Sequence, residues 1–329
     1  MKMRDVARRA GVSPATVSRV LNGVPTVGEE HRRRVLRAIE ELGYRPNKLA
    51  SNLRRQKAEM IGVVVSDIEN PHFTEMVRAV EDAAYRRGYR VLLCNTDETP
   101  QKQRAYLEVL AAERVLGVIL SPSDPEDGGI GELMDLKIPV VAFDRTVADP
   151  RADAVVVDNV GGVRMATRRL IAAGHERIGF ISGSEGIETG SGRLAGYREA
   201  MLEAGLGLRV AHGGFRIEGG REAARRLLSG GEGITALIVG NNLMTIGALK
   251  ALRERGVRVP DDVALVAVDD PFWAELVEPP LTALAQPVRR MAGCAMEMLL
   301  ERISGGRSAP RREVFGLELR VRGSCGTAA

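Results

Sequence analysis

The chain is poor in the residues that build disulfide scaffolds, metal centres and aromatic clusters. Its 329 residues include 3 Cys, 4 His and 1 Trp, and aromatic residues make up 4%. The cysteines form no CxxC pair and the histidines are scattered, so we expect neither a disulfide framework nor a metal site. No Walker loop, GxSxG elbow or paired-histidine metal motif is present, which argues against the enzyme classes that depend on them. We expect no cofactor.

Long apolar runs are also missing. No stretch approaches the length needed to cross a bilayer, and no apolar segment follows the first charged residues. We therefore expect a cytoplasmic protein. Hydrophobic residues still make up 44% of the chain. At this length, that content favours a small module followed by a large or bilobed domain.

Charge is unevenly distributed along the chain. Residues 1–59 contain 14 Lys and Arg against 6 Asp and Glu, a surplus of eight, whereas the whole chain carries only +4. The remainder is therefore acidic by four. This uneven distribution of charge favours phosphate contact by residues 1–59 rather than a surface that is basic throughout.

Two short helices joined by a glycine turn are predicted over residues 6–23. Gly11 ends the first helix, Ser13 is a suitable N-cap for the second, and Pro14 suits the first position of that helix. The apolar residues recur at helical spacing and can close a small core. They are Val6, Ala7, Ala10, Val17, Val20 and Leu21.

The opposite face of the second helix carries small, polar and basic side chains. Such a face can enter a major groove without steric conflict and without unpaired carboxylates. Its residues are Ala15, Thr16, Ser18, Arg19 and Asn22. The alternative interpretation is a solvated helical hairpin, a common arrangement with no DNA-binding role.

A third helix and a short following segment complete the N-terminal region. The third helix is predicted from Glu29 to Leu42, with Val35, Leu36, Ile39 and Leu42 on its buried face. Residues 47–55 have helical composition but span only about two turns, too few to be stable alone in water. We expect this segment to form a helix only with a partner.

The stretch DVARRAGVSPATVSRVLN, residues 5–22, resembles the DNA-binding headpiece of the lactose repressor (LacI/GalR) family. The match continues through YRPNKLASNLR, residues 44–54, into the sensor domain. The resemblance implies a homodimeric, effector-controlled transcription factor, most often a repressor, that binds double-stranded DNA at a pseudopalindromic operator.

The resemblance also assigns roles to individual residues of the N-terminal region. It implies base-edge contacts by Pro14, Ala15 and Arg19. It implies phosphate contacts by Ser13, Ser18 and Asn22. Thr16 lies on the same helix face. Residues 47–59 correspond to a hinge helix and linker. The helix, residues 47–55, begins at Asn47, pairs with its twin in the dimer and inserts Leu53 into the minor groove. The alternative for Leu53 is an ordinary apolar linker residue.

From Ile61 onward, short apolar runs alternate with amphipathic helices, which is typical of parallel α/β structure. The runs are IGVVV, VLLCN, LGVILS, IPVVAFD, AVVVD, IGFISG, ALIVG and VALVAVD. A break near residues 158–162 divides them into two lobes, so we expect two doubly wound parallel-sheet subdomains.

By resemblance, these lobes form a sensor with the fold of periplasmic sugar-binding proteins. The implied organisation is a headpiece at residues 1–46, a hinge at 47–59 and a sensor and dimerisation domain at 60–329. The first lobe would comprise about 60–158 and 288–316, and the second about 159–287 and 317–329.

Ligands of open parallel sheets bind outside the carboxyl ends of the strands, so the residues after each run are candidates. Asp67, Asn70 and Ser121 follow first-lobe strands, although each could equally be a cap or a loop hydrogen-bonding residue. The resemblance places effector contacts at Phe73, Asp144, Arg145, Arg193, Phe215, Asn241 and Asp269. Carboxylates, amides and arginines can satisfy sugar hydroxyls, while an aromatic ring covers the apolar sugar face. Trp273 could cover the cleft or pack internally.

The chemical identity of the effector remains open at this stage. A pentose, hexose or sugar phosphate is the default expectation. A sugar acid is an alternative, since Arg145 and Arg193 supply cationic donors. Purine-binding members of the family have an arginine where this chain has Ile187, which weakens a purine interpretation. We favour release from DNA by a sugar; the alternative is corepression by a non-sugar effector.

Two rival functions are less well supported by the sequence. Gly190, Gly192 and Ala195 spell GxGxxA, which in a nucleotide-dependent α/β enzyme would mark a dinucleotide site. However, the preceding strand ends near Gly183, the intervening loop is too long, and no acidic ribose partner follows. A free sugar-binding protein of a transporter would require an export signal instead of a headpiece.

Overall fold

The computed structural model describes residues 3–21, 27–43, 60–124, 126, 128–184, 186–230 and 233–326. The chain divides into two compact units, Met1–Ala58 and Glu59–Ala329. Asn22 and the hinge residues Asn47 and Leu53 lie outside the described residues.

The N-terminal unit contains three helices, α1 (Met3–Ala10), α2 (Pro14–Leu21) and α3 (Glu29–Glu41). Gly11 adopts a positive φ of 64° at the turn between the first two helices, a conformation that favours glycine. Ser13 caps α2, because its Oγ accepts a hydrogen bond of 3.1 Å from the Thr16 backbone N–H. Arg34 donates from Nη2 to the Gly11 carbonyl at 3.2 Å and so links α3 to the turn.

A small apolar core holds the three helices together. Its buried members are Val6, Ala7, Ala10, Val17, Val20, Val35 and Ala38. The prediction that Leu36 is buried is wrong, because 52% of this residue is exposed. The inward face of α3 follows the spacing Val35, Ala38, Ile39 and Leu42, and position 36 lies about 100° away from Val35 around the helix.

The larger unit contains two six-stranded sheets, each flanked by helices. The first sheet has the order β11-β5-β4-β3-β1-β2 and is parallel throughout. Its strands are β1 (Met60–Val65), β2 (Arg90–Asn95), β3 (Val118–Leu120), β4 (Val140–Phe143), β5 (Asp153–Val157) and β11 (Arg312–Phe315). The accompanying helices are α4 (Pro71–Tyr85), α5 (Pro100–Ala112), α6 (Ile130–Asp135) and α11 (Val288–Ile303).

The second sheet has the order β12-β10-β9-β8-β6-β7 and is parallel except for its edge pair, β10 with β12. Its strands are β6 (Ile178–Ser182), β7 (Arg209–His212), β8 (Ala236–Val239), β9 (Ala264–Val268), β10 (Thr282–Ala285) and β12 (Glu318–Arg320). The accompanying helices are α7 (Asn159–Ala172), α8 (Glu188–Glu203), α9 (Ile217–Leu228) and α10 (Asn242–Glu254).

The chain passes between the two lobes three times. It leaves the first sheet after β5, returns after β10 so that α11 packs on the first-lobe core, and enters the second sheet again at β12. The parallel order places the carboxyl ends of the strands at one edge of each sheet, where ligands of such folds bind. None of the helices in the described part of the chain combines the length and apolar character that a membrane crossing requires.

A buried carboxylate anchors the returning segment in each lobe. Asp153 is fully buried and accepts hydrogen bonds from Arg302 at 2.9 Å and from Arg307 at 2.8 Å. Asp270 pairs with Arg322 at 2.7 Å and with Arg320 at 2.8 Å. Burial opposes ionisation of both carboxyls, but the arginine hydrogen bonds outweigh it and lower the pKa of Asp153 and of Asp270.

We expect Asp153→Asn to lower the free energy of unfolding by about 1–3 kcal/mol at neutral pH, because it leaves two partly buried guanidinium groups without their carboxylate. Since the pKa of Asp153 is lower in the folded state, its contribution is full above the unfolded pKa of about 3.9 and is lost as the pH falls through the folded value. The difference between the variant and the wild type should therefore shrink in acid.

Urea unfolding of the full chain, followed by far-ultraviolet circular dichroism at several pH values, measures this difference. Asp135→Asn is the matched control, because Asp135 is 74% exposed where it pairs with Arg151, and exposed pairs contribute little. Equal unfolding midpoints for Asp153→Asn and Asp135→Asn at neutral pH would contradict the prediction.

Candidate functional site

The outward face of α2 presents the residues predicted to contact DNA. Ser13, Pro14, Ala15 and Arg19 are exposed, whereas Thr16 and Ser18 are half-buried. Val17 and Val20 are buried on the opposite side of the helix. The headpiece core thus fixes α2 and leaves a small-residue surface with one arginine available for a partner.

A second candidate site is a cavity of the larger unit whose empty space, including the part that is open to solvent, is about 370 Å³. Eleven of its thirteen lining residues are polar or charged, and the other two are Phe73 and Phe215. The cavity brings together all seven residues predicted as effector contacts. They are Phe73, Asp144, Arg145, Arg193, Phe215, Asn241 and Asp269.

Three of these residues have a backbone conformation that is unusual for non-glycine residues. Asp144, Phe215 and Asp269 have φ values of 70°, 61° and 73°. Such conformations store strain and tend to cluster at ligand sites. Gly183, at the end of β6, is required beside them, because a Cβ on Gly183 would lie 1.9 Å from the Phe215 ring.

Arg193 and Asn241 are held in place by the second lobe. Arg193 is buried in α8 and donates from Nε to Asn159 Oδ1 at 2.7 Å and from Nη1 to the Gly240 carbonyl at 2.8 Å. Its Nη2 has no protein partner among the described residues. Asn241 caps α10 by accepting from the Met244 backbone N–H at 2.8 Å, which leaves its amide NH₂ group for a ligand.

Asp269 follows β9 and is buried between amide groups. Its Oδ1 accepts from Gln286 Nε2 at 2.7 Å, and its Oδ2 lies 3.3 Å from Asn242 Nδ2. The second of these contacts is long, so Asp269 retains capacity to accept a hydrogen bond from a ligand.

Arg145 is committed to a partner within the protein. Its two Nη atoms donate to the Glu98 carboxylate at 2.7 and 2.6 Å, and Nη1 also donates to the Pro122 carbonyl at 2.9 Å. Burial opposes the charge of Arg145, but Glu98 and then Asp144 more than offset burial and raise the pKa of the guanidinium. Arg145 therefore orders the cavity wall and does not provide a free cation.

Contacts across the cleft hold the lobes together around the cavity. Arg216 of the second lobe donates to Asp67 Oδ2 of the first at 2.7 Å. The Thr146 backbone N–H and hydroxyl both donate to Glu188 Oε2 at 2.7 Å. Burial raises the pKa of Asp67, and the hydrogen bond from the Glu69 backbone N–H and the charge of Arg216 offset this rise only in part. These hydrogen bonds join the two lobes beside the cavity.

Buried polar atoms without a protein partner gather around this cavity. They include both ring nitrogens of His72, Nε of Arg145 and Oε1 of Gln286, and all three residues line the cavity. Buried polar groups in native proteins are nearly always hydrogen-bonded, so unpartnered groups at one place indicate that a ligand or water contacts them.

The structure also shows which of the residues left open by the sequence line the cavity, and which lining residues the sequence did not indicate. Asp67 and Asn70 line the cavity, whereas Ser121 does not. Trp273 packs against the second-lobe core. The sequence patterns did not single out four lining residues, although Glu98 and Gln286 lie just beyond strands β2 and β10. They are His72, Glu98, Thr189 and Gln286.

The GxGxxA stretch lies within a helix and does not form a phosphate-binding turn. Gly190 and Gly192 both belong to α8. Nearby, Gly196 permits close packing of α8 on α7, since a Cβ there would lie 2.2 Å from the Val160 carbonyl oxygen. Gly192 and Gly196 therefore allow the close approach of two helices, and the dinucleotide interpretation has no structural support.

Comparison with known proteins gives matches to both units. Residues 2–47 match the model of bacterial regulatory proteins of the lacI family, and residues 167–325 match the periplasmic binding protein-like domain. The chain is 38% identical over 308 residues to the HTH-type transcriptional repressor PurR of Haemophilus influenzae (strain PittEE), covering 92% of this chain and 91% of the relative.

Two solved structures are similar over almost the whole chain. A complex of the transcriptional regulator CelR with cellobiose is 36% identical, with a TM-score of 0.75 and coverage of 98% of this chain and 99% of CelR. The lac repressor dimer bound to operator and the anti-inducer ONPF is 26% identical, with a TM-score of 0.86 and coverage of 99% of each chain.

These relatives are transcriptional regulators and not enzymes, in agreement with the prediction from the sequence. The expected all-α headpiece followed by two parallel α/β lobes is likewise confirmed. The family match, the length of the aligned region and the shared architecture together show that the chain is a DNA-binding transcriptional repressor of the lacI family.

Proposed function

We propose that this repressor binds a pseudopalindromic operator as a homodimer and releases it when a sugar occupies the cleft between the sensor lobes. The observation that carries the sugar assignment is the cavity, in which carboxylates, amides and an arginine surround two phenyl rings. Sugars offer hydroxyls to polar groups and C–H faces to aromatic rings, which is the combination that this wall accommodates.

The carboxylates favour a ligand that donates many hydrogen bonds. Asp144 and Asp269 are acceptors when ionised, and the hydroxyls of a sugar can donate to both. Ile187, where purine-binding relatives have an arginine, is not among the residues lining the cavity and packs against the second-lobe core. A solved relative in complex with the sugar cellobiose supports the same assignment.

For the DNA side, we propose that α2 enters the major groove with Arg19 at a base edge and Ser13 and Ser18 at phosphates. The exposure of Arg19 and the basic surplus of residues 1–59 support this role. The solved lac repressor relative is a dimer bound to operator, which supports a dimeric assembly here. We further propose that Asn47 begins a hinge helix and that Leu53 inserts into the minor groove.

A thermal-shift panel tests the proposed effector class. We expect a pentose or hexose to raise the melting temperature of the full-length protein, because a ligand at a hundredfold excess over its Kd adds roughly 2.7 kcal/mol to the stability of the native state. The panel contains D-ribose, D-xylose, L-arabinose, D-glucose and cellobiose, with hypoxanthine and guanine as purine comparators. A shift with a purine and with none of the sugars would contradict the proposal.

A further inference from the structure

His72 is a histidine of the cavity wall to which neither a sequence pattern nor the family resemblance assigns a role. It is the second residue of α4, and only 4% of its side chain is exposed. Its ring packs edge-on against Phe73, with 5.0 Å between ring centroids and an interplanar angle of 81°. The imidazole is therefore fixed by packing at the cavity.

Neither ring nitrogen of His72 has a hydrogen-bond partner among the described residues. The nearest charged group is Asp144, whose Oδ1 lies 3.7 Å from Nε2, beyond hydrogen-bonding distance. Imidazole always has at least one N–H donor, and a buried donor without a partner is unfavourable. The negative charge of Asp144 favours the tautomer with its proton on Nε2.

A single hydroxyl group can satisfy both residues. Its oxygen can accept from His72 Nε2 while its hydrogen is donated to Asp144 Oδ1, since a hydroxyl is donor and acceptor at once. An ether oxygen or a C–H group cannot make both bonds. A carboxylate or phosphate oxygen would instead meet the charge of Asp144, which Arg145 approaches only with Nε, at 3.5 Å from Asp144 Oδ2, because both its Nη atoms are bound to Glu98.

On these grounds we propose that His72 is a specificity-determining residue that, together with Asp144, recognises one hydroxyl of an uncharged sugar. This inference rests on the proposed sugar-binding function and narrows it, because it disfavours sugar acids and sugar phosphates. It also argues against Arg145 as the cationic donor for an anionic ligand, the alternative that the sequence left open.

Calorimetric titration of the full-length protein tests the assignment. The probe is whichever of D-ribose, D-xylose, L-arabinose, D-glucose and cellobiose binds the wild type most tightly, compared with each of its monodeoxy derivatives and its uronic acid, which keeps the ring form. For the wild type, we expect one deoxy position to weaken binding by roughly tenfold or more, as expected for a lost hydrogen bond shared with a charged group. The uronic acid should bind at least roughly tenfold more weakly than the parent sugar, because its carboxylate carries the same charge as Asp144.

In His72→Phe, the ring and its packing on Phe73 remain but both nitrogens are absent. In this variant, removing that one hydroxyl from the sugar should change the affinity by no more than about twofold. Removing the other hydroxyls should weaken binding as much as it does in the wild type. His72→Gln, which retains a donor, should restore part of the lost discrimination. His72→Leu is tested alongside and, if His72→Phe is misfolded by circular dichroism, takes its place.

His175→Phe is the matched control, because His175 contacts Thr235 in the second lobe and does not line the cavity. It should keep the wild-type deoxy profile. An unchanged profile in His72→Phe and His72→Leu, or uronic acid binding as tight as that of the parent sugar, would overturn the role of His72 while leaving a sugar effector in place. Absence of binding by all five sugars to the wild type would instead overturn the proposed function.

Discussion

Arg19→Ala should reduce the affinity for the operator far more than the affinity for unrelated DNA. A bidentate contact between arginine and a base contributes roughly 1–3 kcal/mol of discrimination, and a dimer loses two such contacts. The expected loss of specificity is therefore about 2–6 kcal/mol per dimer. Arg19 is exposed on α2 and lies away from the headpiece core, so the fold should be unaffected.

Fluorescence anisotropy with operator and scrambled duplexes at fixed ionic strength measures this ratio. Arg37→Ala is the matched control, because it removes the same charge from an exposed position on α3. It should weaken binding to both duplexes similarly, since phosphate contacts are independent of sequence. Retention of full operator selectivity by Arg19→Ala would show that Arg19 makes only phosphate or surface contacts.

Asp269→Asn should lower the affinity for the sugar effector by roughly a hundredfold, which corresponds to a charged hydrogen bond of about 1.5–3 kcal/mol. Asparagine preserves the shape of the side chain and tolerates the positive φ of 73° at this position, whereas it removes the charged acceptor. Arg193→Ala should have a comparable effect, because the Arg193 guanidinium is already ordered by Asn159 and Gly240.

Both variants should retain operator binding without sugar. Asp262→Asn, which changes an exposed carboxylate of the same lobe, controls for the loss of charge. Calorimetric titration with the tightest-binding sugar measures the effect. Wild-type sugar affinity in both Asp269→Asn and Arg193→Ala would place the binding site elsewhere.

Most strands buried on both faces were predictable from the sequence, whereas the buried β10 (Thr282–Ala285) and the short edge strands β11 and β12 were not. Runs such as ALIVG and VALVAVD mark β8 and β9, which lie in the interior of their sheet. By contrast, β11 (Arg312–Phe315) and β12 (Glu318–Arg320) are largely exposed edge strands rich in charged residues. Their positions depend on long-range pairing and on the buried ion pairs of Asp153 and Asp270, which leave no periodic signal in the sequence.

Cavity residues that follow strands or match the family were predictable from the sequence. Residues whose role depends on a partner far away in the sequence were not. Asp144 and Asp269 come directly after strands β4 and β9, so topology places both at the cleft. The pairing of Glu98 with Arg145 joins residues 47 positions apart and was not visible in the sequence. The role proposed for His72 likewise depends on ring nitrogens that have no hydrogen-bond partner among the described residues, which only the structure reveals.

Under the proposed function, a sugar in the cleft controls binding of the headpieces to DNA. The operator affinities of the wild type and of Asp269→Asn, measured by anisotropy with and without saturating sugar, test this coupling. We expect sugar to weaken wild-type binding by about 5- to 150-fold, the usual range of allosteric coupling, and to leave the variant unchanged. Equal operator affinity of the wild type with and without bound sugar would contradict it.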